Sequence, residues 1–156
     1  MELFVATVAS PVGTWGVEGT AKVITHIYLP NEAVRVSRGT APKAVATAQH
    51  QLAEYFAGKR KQFHVTLDDI PATPFQREVW EALGDIPFGE VRTYADVAFA
   101  IGRPRAMRAI GNANRVNPWP VLVPCHRVVA RHGIGGYGGG TDVKRFLLQL
   151  EGVAYD

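Results

Sequence analysis

The first thirty residues hold three short, largely apolar runs of strand length, bounded by turn-forming residues and without a helical period. Leu3-Phe4-Val5-Ala6-Thr7-Val8-Ala9, Thr14 to Glu18, and Val23-Ile24-Thr25-His26-Ile27-Tyr28-Leu29 each read as a strand rich in β-branched residues. Ser10-Pro11-Val12-Gly13 turns the first into the second, Gly19 separates the second from the third, and Pro30-Asn31 ends the hairpin or meander. Arg35 to Thr40 is polar and reads as loop. A helical period follows: Val45, Ala48, Leu52, Tyr55 and Phe56 share one face of a helix over 44–56, with Gly58 placed to end it. Lys59-Arg60-Lys61 reads as a solvated turn, and Phe63-His64-Val65-Thr66-Leu67 as one last strand. These elements make a small α+β unit.

Asp68 to Ala72 reads as a linker, dividing the chain into residues 1–72 and 73–156. Thr73-Pro74-Phe75-Gln76 is a strong helix start. The threonine can cap, proline suits the first helical position, and Gln76 can return a bond to the cap. That helix should run to Leu83 and break at Gly84-Asp85-Ile86-Pro87-Phe88-Gly89. Thr93 can cap a second helix over 94–101, Gly102 makes a turn, and Pro104 opens a third that Ala106, Met107, Ala109, Ile110 and Ala113 carry to about Asn114. Two helices joined by a short glycine-containing turn, the second bearing arginines, is a DNA-reading arrangement, although many helical hairpins bind nothing. Asn117-Pro118-Trp119-Pro120 cannot be helical and should aim a strand-like run, Val121 to Val123, at Cys125. Gly133 to Gly140 is a loop holding Tyr137, without the Lys-Ser/Thr that a phosphate-cradling loop needs next. A last helix over 142–150 turns Val143, Phe146, Leu147 and Leu150 inward, with Glu151 at its end.

Composition narrows the class. The 156 residues are 47% hydrophobic and 20% charged, as in an ordinary globular protein. No stretch approaches the roughly 20 apolar residues of a membrane span. Glu2 and the missing basic start argue against a secretory leader, and one unpaired cysteine fits a reducing compartment, so a cytoplasmic protein is expected. Net charge is only +3, but Arg103, Arg105, Arg108, Arg115, Arg127 and Arg131 fall between Val97 and Thr141 with no Asp, Glu or Lys among them. That is either a footprint for a polyanion or a solvated face.

The lone thiol changes the picture most. Cys125 has no partner for a disulfide and no companions for a multi-cysteine zinc site. It is either a small buried hydrophobe or a reactive centre, and the His126 and Arg127 beside it favour a thiolate. Cys125, His126 and Glu151 form a possible set of nucleophile, base and orienter. Adjacent side chains diverge in a regular strand, so direct proton transfer needs a turn at Pro124-Cys125 or an intervening water. The plain alternative for Glu151 is a surface residue at a helix end.

Pro124-Cys125-His126-Arg127-Val128 resembles the active-site motif of the O6-alkylguanine-DNA alkyltransferases. The resemblance extends from Phe75 to Gly152 and takes in Ile86-Pro87-Phe88-Gly89-Glu90-Val91, Thr93-Tyr94, Arg108-Ala109-Ile110-Gly111, Asn117-Pro118, Tyr137 with its following glycines, and Leu150-Glu151-Gly152. It implies an α+β protein: an N-terminal ribonuclease H-like sheet with a helix, then a mostly helical, winged-helix-like domain containing a helix-turn-helix. It also implies a single-use methyltransferase that needs no cofactor. Cys125 would take the alkyl group from O6 of guanine, and by extension from O4-alkylthymine, and keep it. His126 would act as base through a water, Glu151 would orient His126, and Tyr94 would protonate guanine N3. Arg108 would fill the stack left by the flipped base, while Arg105, Ala106, Ala109 and Gly111 meet the minor groove of double-stranded DNA. Asn117 would hold a hinge, backbone carbonyls near Cys125 and Val128 would read the exocyclic amine, and Tyr137 and Trp119 would border the base pocket. The protein is expected to act as a monomer.

The chain departs from its relatives in places. Met107 is larger than the small residue expected beside the arginine, and Gly138 stands where some relatives carry a serine. Some relatives hold zinc in the N-terminal domain through cysteines and histidines. This chain has no cysteine there, so no metal site is expected and His26, His50 and His64 read as ordinary histidines. Two other readings compete: a DNA-binding damage sensor or regulator that repairs nothing, and a cysteine hydrolase, which would leave the arginine-rich helix without a role.

Overall fold

In the computed structural model, which describes residues 2–155, the α+β class expected from the pattern is what the chain adopts. Its contacts divide into two units, residues 1–70 and 71–156.

In the first unit, β1 (Phe4–Ser10), β2 (Gly13–Gly19) and β3 (Ile24–Tyr28) form an antiparallel meander in the order β1-β2-β3. Ser10 pairs with Gly13, so Pro11 and Val12 alone make the turn. Gly13 is required there: its φ is +126°, and a Cβ would stand 2.8 Å from Pro30 Cβ. Alternate residues Ala6, Val8, Trp15 and Val17 are buried beneath α1 (Lys43–Phe56), whose Val45, Ala48, Leu52 and Tyr55 are fully buried. The segment 63–67 is not a strand. It makes a single parallel bridge, Leu67 to Ile24, because Gln51 of α1 takes both backbone groups of His64: Oε1 accepts from its N–H at 2.9 Å and Nε2 donates to its carbonyl at 3.3 Å. A side chain there satisfies what a neighbouring strand would otherwise have to.

The second unit begins with α2 (Pro74–Gly84), whose capping box is formed: Thr73 Oγ1 accepts from Gln76 N, and Thr73 N donates to Gln76 Oε1. A second capping box, between Thr93 and Asp96, starts α3 (Tyr94–Ala100) directly after β4 (Arg92–Thr93). Helix α4 starts later than its proline suggests, at Met107, and runs to Arg115. Pro104 instead occupies a turn closed by Ala106 N–H donating to Arg103 O at 3.0 Å, since its fixed φ suits a turn as well as a first helical position. Arg105 and Ala106 therefore precede the helix, with Ala106 as its cap residue. A 3-10 turn at Cys125–Arg127 leads into β5 (Val128–Val129), which pairs in parallel with β4, and α5 (Thr141–Leu150) follows. Val79, Trp80, Leu83, Val97, Ile110, Trp119, Leu147 and Leu148 form the core of this unit. No described helix is long and apolar enough to cross a membrane.

Candidate active site

The segment before Cys125 is a folded-back turn rather than the strand-like run its valines suggest. Val121 is buried with φ +75°, unusual for a β-branched residue. Such a conformation persists only where neighbours enforce it. Asn117 does so from within: its Oδ1 accepts from Trp119 N–H at 3.0 Å and its Nδ2 donates to Val123 O at 2.8 Å. Val123 N–H closes the loop on Trp119 O at 2.8 Å. Cys125 N–H then donates to Val123 O at 2.8 Å, a three-residue turn centred on Pro124 (φ −80°, ψ 66°). The cysteine enters the 3-10 turn from that bend, with the turn at Pro124-Cys125 that adjacent Cys and His require.

Cys125 is 5% exposed, and His126 is wholly buried. His126 Nε2 lies 2.7 Å from Glu151 Oε2. The same carboxylate accepts from Arg127 Nε at 2.7 Å (Oε1) and Nη2 at 3.1 Å (Oε2). A carboxylate facing a guanidinium carries no proton, so His126 Nε2 must be the N–H donor, and in the neutral ring Nδ1 is the lone-pair nitrogen. Nδ1 is shielded from solvent and meets no protein partner among the described residues. Burial pushes the His126 pKa below its usual 6.5 against the pull of Glu151, so the ring rests neutral. Burial also raises the Cys125 thiol, while the Asn117 and Tyr137 side chains and the Lys144 charge draw it down. A resting thiol beside a neutral imidazole needs a base to become a nucleophile.

Two residues carry more of the site than their sequence positions suggest. Arg127, counted in the basic footprint, is buried: beyond Glu151 it donates to Ile86 O at 2.7 Å, with its guanidinium 5.8 Å from the centre of the Phe88 ring. It binds the 86–89 turn to the carboxylate and is not available to a polyanion. Lys144, on a helix position that reads as polar and outward, is fully buried in place of Phe146 and Leu150, which are only partly so. Its Nζ donates to Val128 O at 2.6 Å and Gly136 O at 3.1 Å, and burial pulls its pKa down to about 8. Lys144, Leu147, Leu148 and Glu151 share a face at i, i+3, i+4 and i+7, the one pattern that could have announced it.

The remaining arginines divide. Arg103 is tied to Glu78 at 3.1 Å and lies over the Phe75 ring. Arg105, Arg108, Arg115 and Arg131 are exposed. A groove of about 750 Å³ is lined by Thr93, Tyr94, Met107, Arg108, Gly111 and Arg115. A larger one, about 850 Å³, is lined by Glu78, Glu81, Asp85 and Asp96, whose carboxylates would repel phosphates. Tyr94, half-buried at the start of α3, is protonated at neutral pH like any tyrosine, and burial and then the nearby Cys125 raise its pKa further. Ala109 is exposed on α4 and Gly111 part-buried, a Cβ there meeting only Tyr94 Cε1 at 3.9 Å. Val128 is buried, and Tyr137 is part-buried beside the thiol. Trp119 does not border an opening. Pro118, Pro120 and the Asn117 clamp turn it into the core, edge-on to Trp80 with centroids 5.8 Å apart.

A protein-family model described as the DNA binding domain of 6-O-methylguanine DNA methyltransferase matches residues 74–153. The chain belongs to that family. It is 40% identical over 161 residues to a constitutive methylated-DNA–protein-cysteine methyltransferase of Bacillus subtilis, covering 97% of each chain. It is 44% identical over 149 residues to the methylated-DNA–protein-cysteine methyltransferase of Mycolicibacterium paratuberculosis, covering 93% of this chain and 90% of the other. The crystal structure of a Mycobacterium tuberculosis relative in complex with DNA superposes with a TM-score of 0.84 at 42% identity, covering 96% and 93% of the two chains. Membership brings DNA repair by methyl transfer to a cysteine, and DNA as partner.

Proposed function

We propose that this methyltransferase repairs O6-alkylguanine in double-stranded DNA by moving the alkyl group irreversibly onto Cys125 Sγ. The observation that carries the reading is His126. One ring nitrogen is fixed on Glu151, and the other is buried with an unused lone pair, on the residue that follows the family's cysteine in the chain. The thiol proton passes through a water to His126 Nδ1, the thiolate attacks the alkyl carbon, and the S–C bond forms as the C–O6 bond breaks. Tyr94, protonated at neutral pH, gives its proton to guanine N3, so that a neutral base leaves rather than an anion. The thioether formed at Sγ is a stable end state, so each molecule acts once.

The lesion is buried in a duplex, and extruding a base costs about a few kcal/mol. Arg108 fills the gap from α4 in the minor groove, where Ala106, Ala109 and Gly111 allow close approach and Arg105 meets phosphates. Asn117 holds the bend that presents Cys125. The carbonyls of Cys125 and Val128 read the exocyclic amine, and Tyr137 closes the pocket. The protein works as a cytoplasmic monomer without a cofactor and accepts O4-alkylthymine as a second substrate.

Intact-mass analysis after incubation with duplex DNA carrying O6-methylguanine tests the reading. One methyl should appear on Cys125, without turnover, and none on Cys125→Ser. Tight binding with unmodified protein would replace repair with damage sensing, and repeated product release would replace it with true catalysis.

A further inference from the structure

The second unit leaves two large apolar side chains standing in grooves, Phe99 of α3 and Met107 of α4. Phe99 lies among the carboxylates of Glu78, Glu81, Asp85 and Asp96, where a polyanion is repelled. Met107 lies in the groove that holds Tyr94, Arg108, Arg115 and Arg131, and no acidic residue lines that groove among the described residues. Met107 opens α4 three residues before the fully buried Ile110, a spacing that would turn an apolar side chain toward the core. It is instead 48% exposed. The residues around it are small: Ala106 is the cap residue, Ala109 is exposed, and a Cβ on Gly111, one turn on, would meet only Tyr94 Cε1. Met107 thus stands as an apolar knob between small residues and arginines.

Resting on the reading above that α4 enters the minor groove, we infer that Met107 is a DNA-binding residue of this chain, its thioether side chain packing into the groove beside Arg108. The two neighbours act through different physics. The charge of Arg108 attracts the polyanion, and that attraction weakens as salt rises. Met107 carries no charge. It contributes apolar surface withdrawn from water against the sugars that wall the groove, a gain that salt does not screen. Proteins of the minor groove insert apolar side chains of this kind, and an unbranched, polarisable thioether conforms to an irregular wall. The small residues beside it let the helix come near enough for the side chain to reach. Phe99 is more exposed but takes no part, because its groove is closed to phosphates by charge.

The test is the affinity of the full chain for an undamaged duplex, read by fluorescence anisotropy over a series of salt concentrations. Met107→Ala should weaken binding about three- to tenfold at every salt concentration, the worth of burying half a methionine side chain. The slope of log K against log salt should stay at the wild-type value, since no phosphate contact is lost. Met107→Leu, of similar volume, should bind as the wild type does. So should Phe99→Ala, which removes an exposed apolar side chain from the acidic groove. Unchanged affinity in Met107→Ala would overturn the inference. A flattened slope would overturn it too, by tracing the loss to a displaced arginine, as would an equal loss in Phe99→Ala. Methyl transfer judges the repair reading separately. A wild type that binds the duplex yet accepts no methyl from O6-methylguanine would overturn that reading, and the affinities would still decide the place of Met107.

Discussion

His126 and Glu151 meet at 2.7 Å with neither side chain exposed to solvent, and Arg127 closes the other side of the same carboxylate. Glu151 therefore holds the imidazole tautomer and neutralises a buried guanidinium at once. Glu151→Gln keeps the shape but loses the charge that selects the Nε2 proton, and transfer should slow roughly 10²–10⁴-fold, the usual worth of a positioned base. Glu151→Ala strands two buried partners and should also cost about 3–5 kcal/mol in denaturant unfolding. A Gln variant that transfers at the wild-type rate would remove His126 from the chemistry.

Transfer should also report the His126 titration. Burial holds its pKa below 6.5 while Glu151 pulls it upward. The base is active when neutral, so the rate should stay level as pH falls to 6.5 and drop only further into acid. Removing the Glu151 charge withdraws the upward pull, so in Glu151→Gln the acid limb should move to still lower pH. Single-turnover rates between pH 5 and 8 check this, and a limb that moves upward would contradict it.

Where sequence and structure agree, the signals are local. Thr73 and Gln76 lie three residues apart and satisfy one another, so the start of α2 is legible in four letters. The Cys125-His126-Glu151 set was legible through chemistry and family resemblance, although only the fold closes the 2.7 Å contact across 25 residues of chain. What was hidden depends on distant partners. Arg127 reads as one more surface cation until Glu151 and the Ile86 carbonyl arrive to bury it. Lys144 reads as the polar face of α5 because no pattern shows two carbonyls waiting inside. Val121 carries no letter that predicts a positive φ; the Asn117 clamp imposes it. Pro104 is ambiguous by nature, since its fixed φ starts turns and helices alike.

Lys144 gives the fold a distinct pH dependence. Its pKa is about 8 in the folded protein and 10.5 in the free side chain, so between those values the unfolded chain binds a proton the folded one has released. Stability from this residue therefore rises with pH across that window and is level below it. Lys144→Met removes the titration and leaves the Val128 and Gly136 carbonyls without their donor. The stability gap between wild type and variant should widen from pH 8 to 10.5 in urea unfolding. A gap that narrows would mean the folded lysine keeps its proton.

Arg108 separates base extrusion from chemistry. It is exposed on α4, in the groove that also holds Tyr94, whereas Cys125 and His126 are buried. Arg108→Ala should slow repair of a lesion in duplex DNA by tenfold or more, the equivalent of about 1.4 kcal/mol. Reaction with the free base O6-benzylguanine, which has no stack to fill, should change little. Equal loss on both would place Arg108 in the reaction itself.

Gly111 offers the sharpest division between fold and function. A helix interior disfavours glycine by about 0.5–1 kcal/mol relative to alanine. Among the described residues nothing forbids a Cβ here, since it would meet only Tyr94 Cε1 at the ordinary contact distance of 3.9 Å. Gly111→Ala should therefore raise the melting temperature. If the glycine exists so that a DNA backbone can come close to α4, the same substitution must weaken duplex binding, and Gly111→Leu should weaken it further without unfolding the protein. Stability and affinity would then move in opposite directions at one position. Thermal unfolding and fluorescence anisotropy with an undamaged duplex measure the two separately. Unchanged affinity in both variants would show that this face of α4 does not approach DNA.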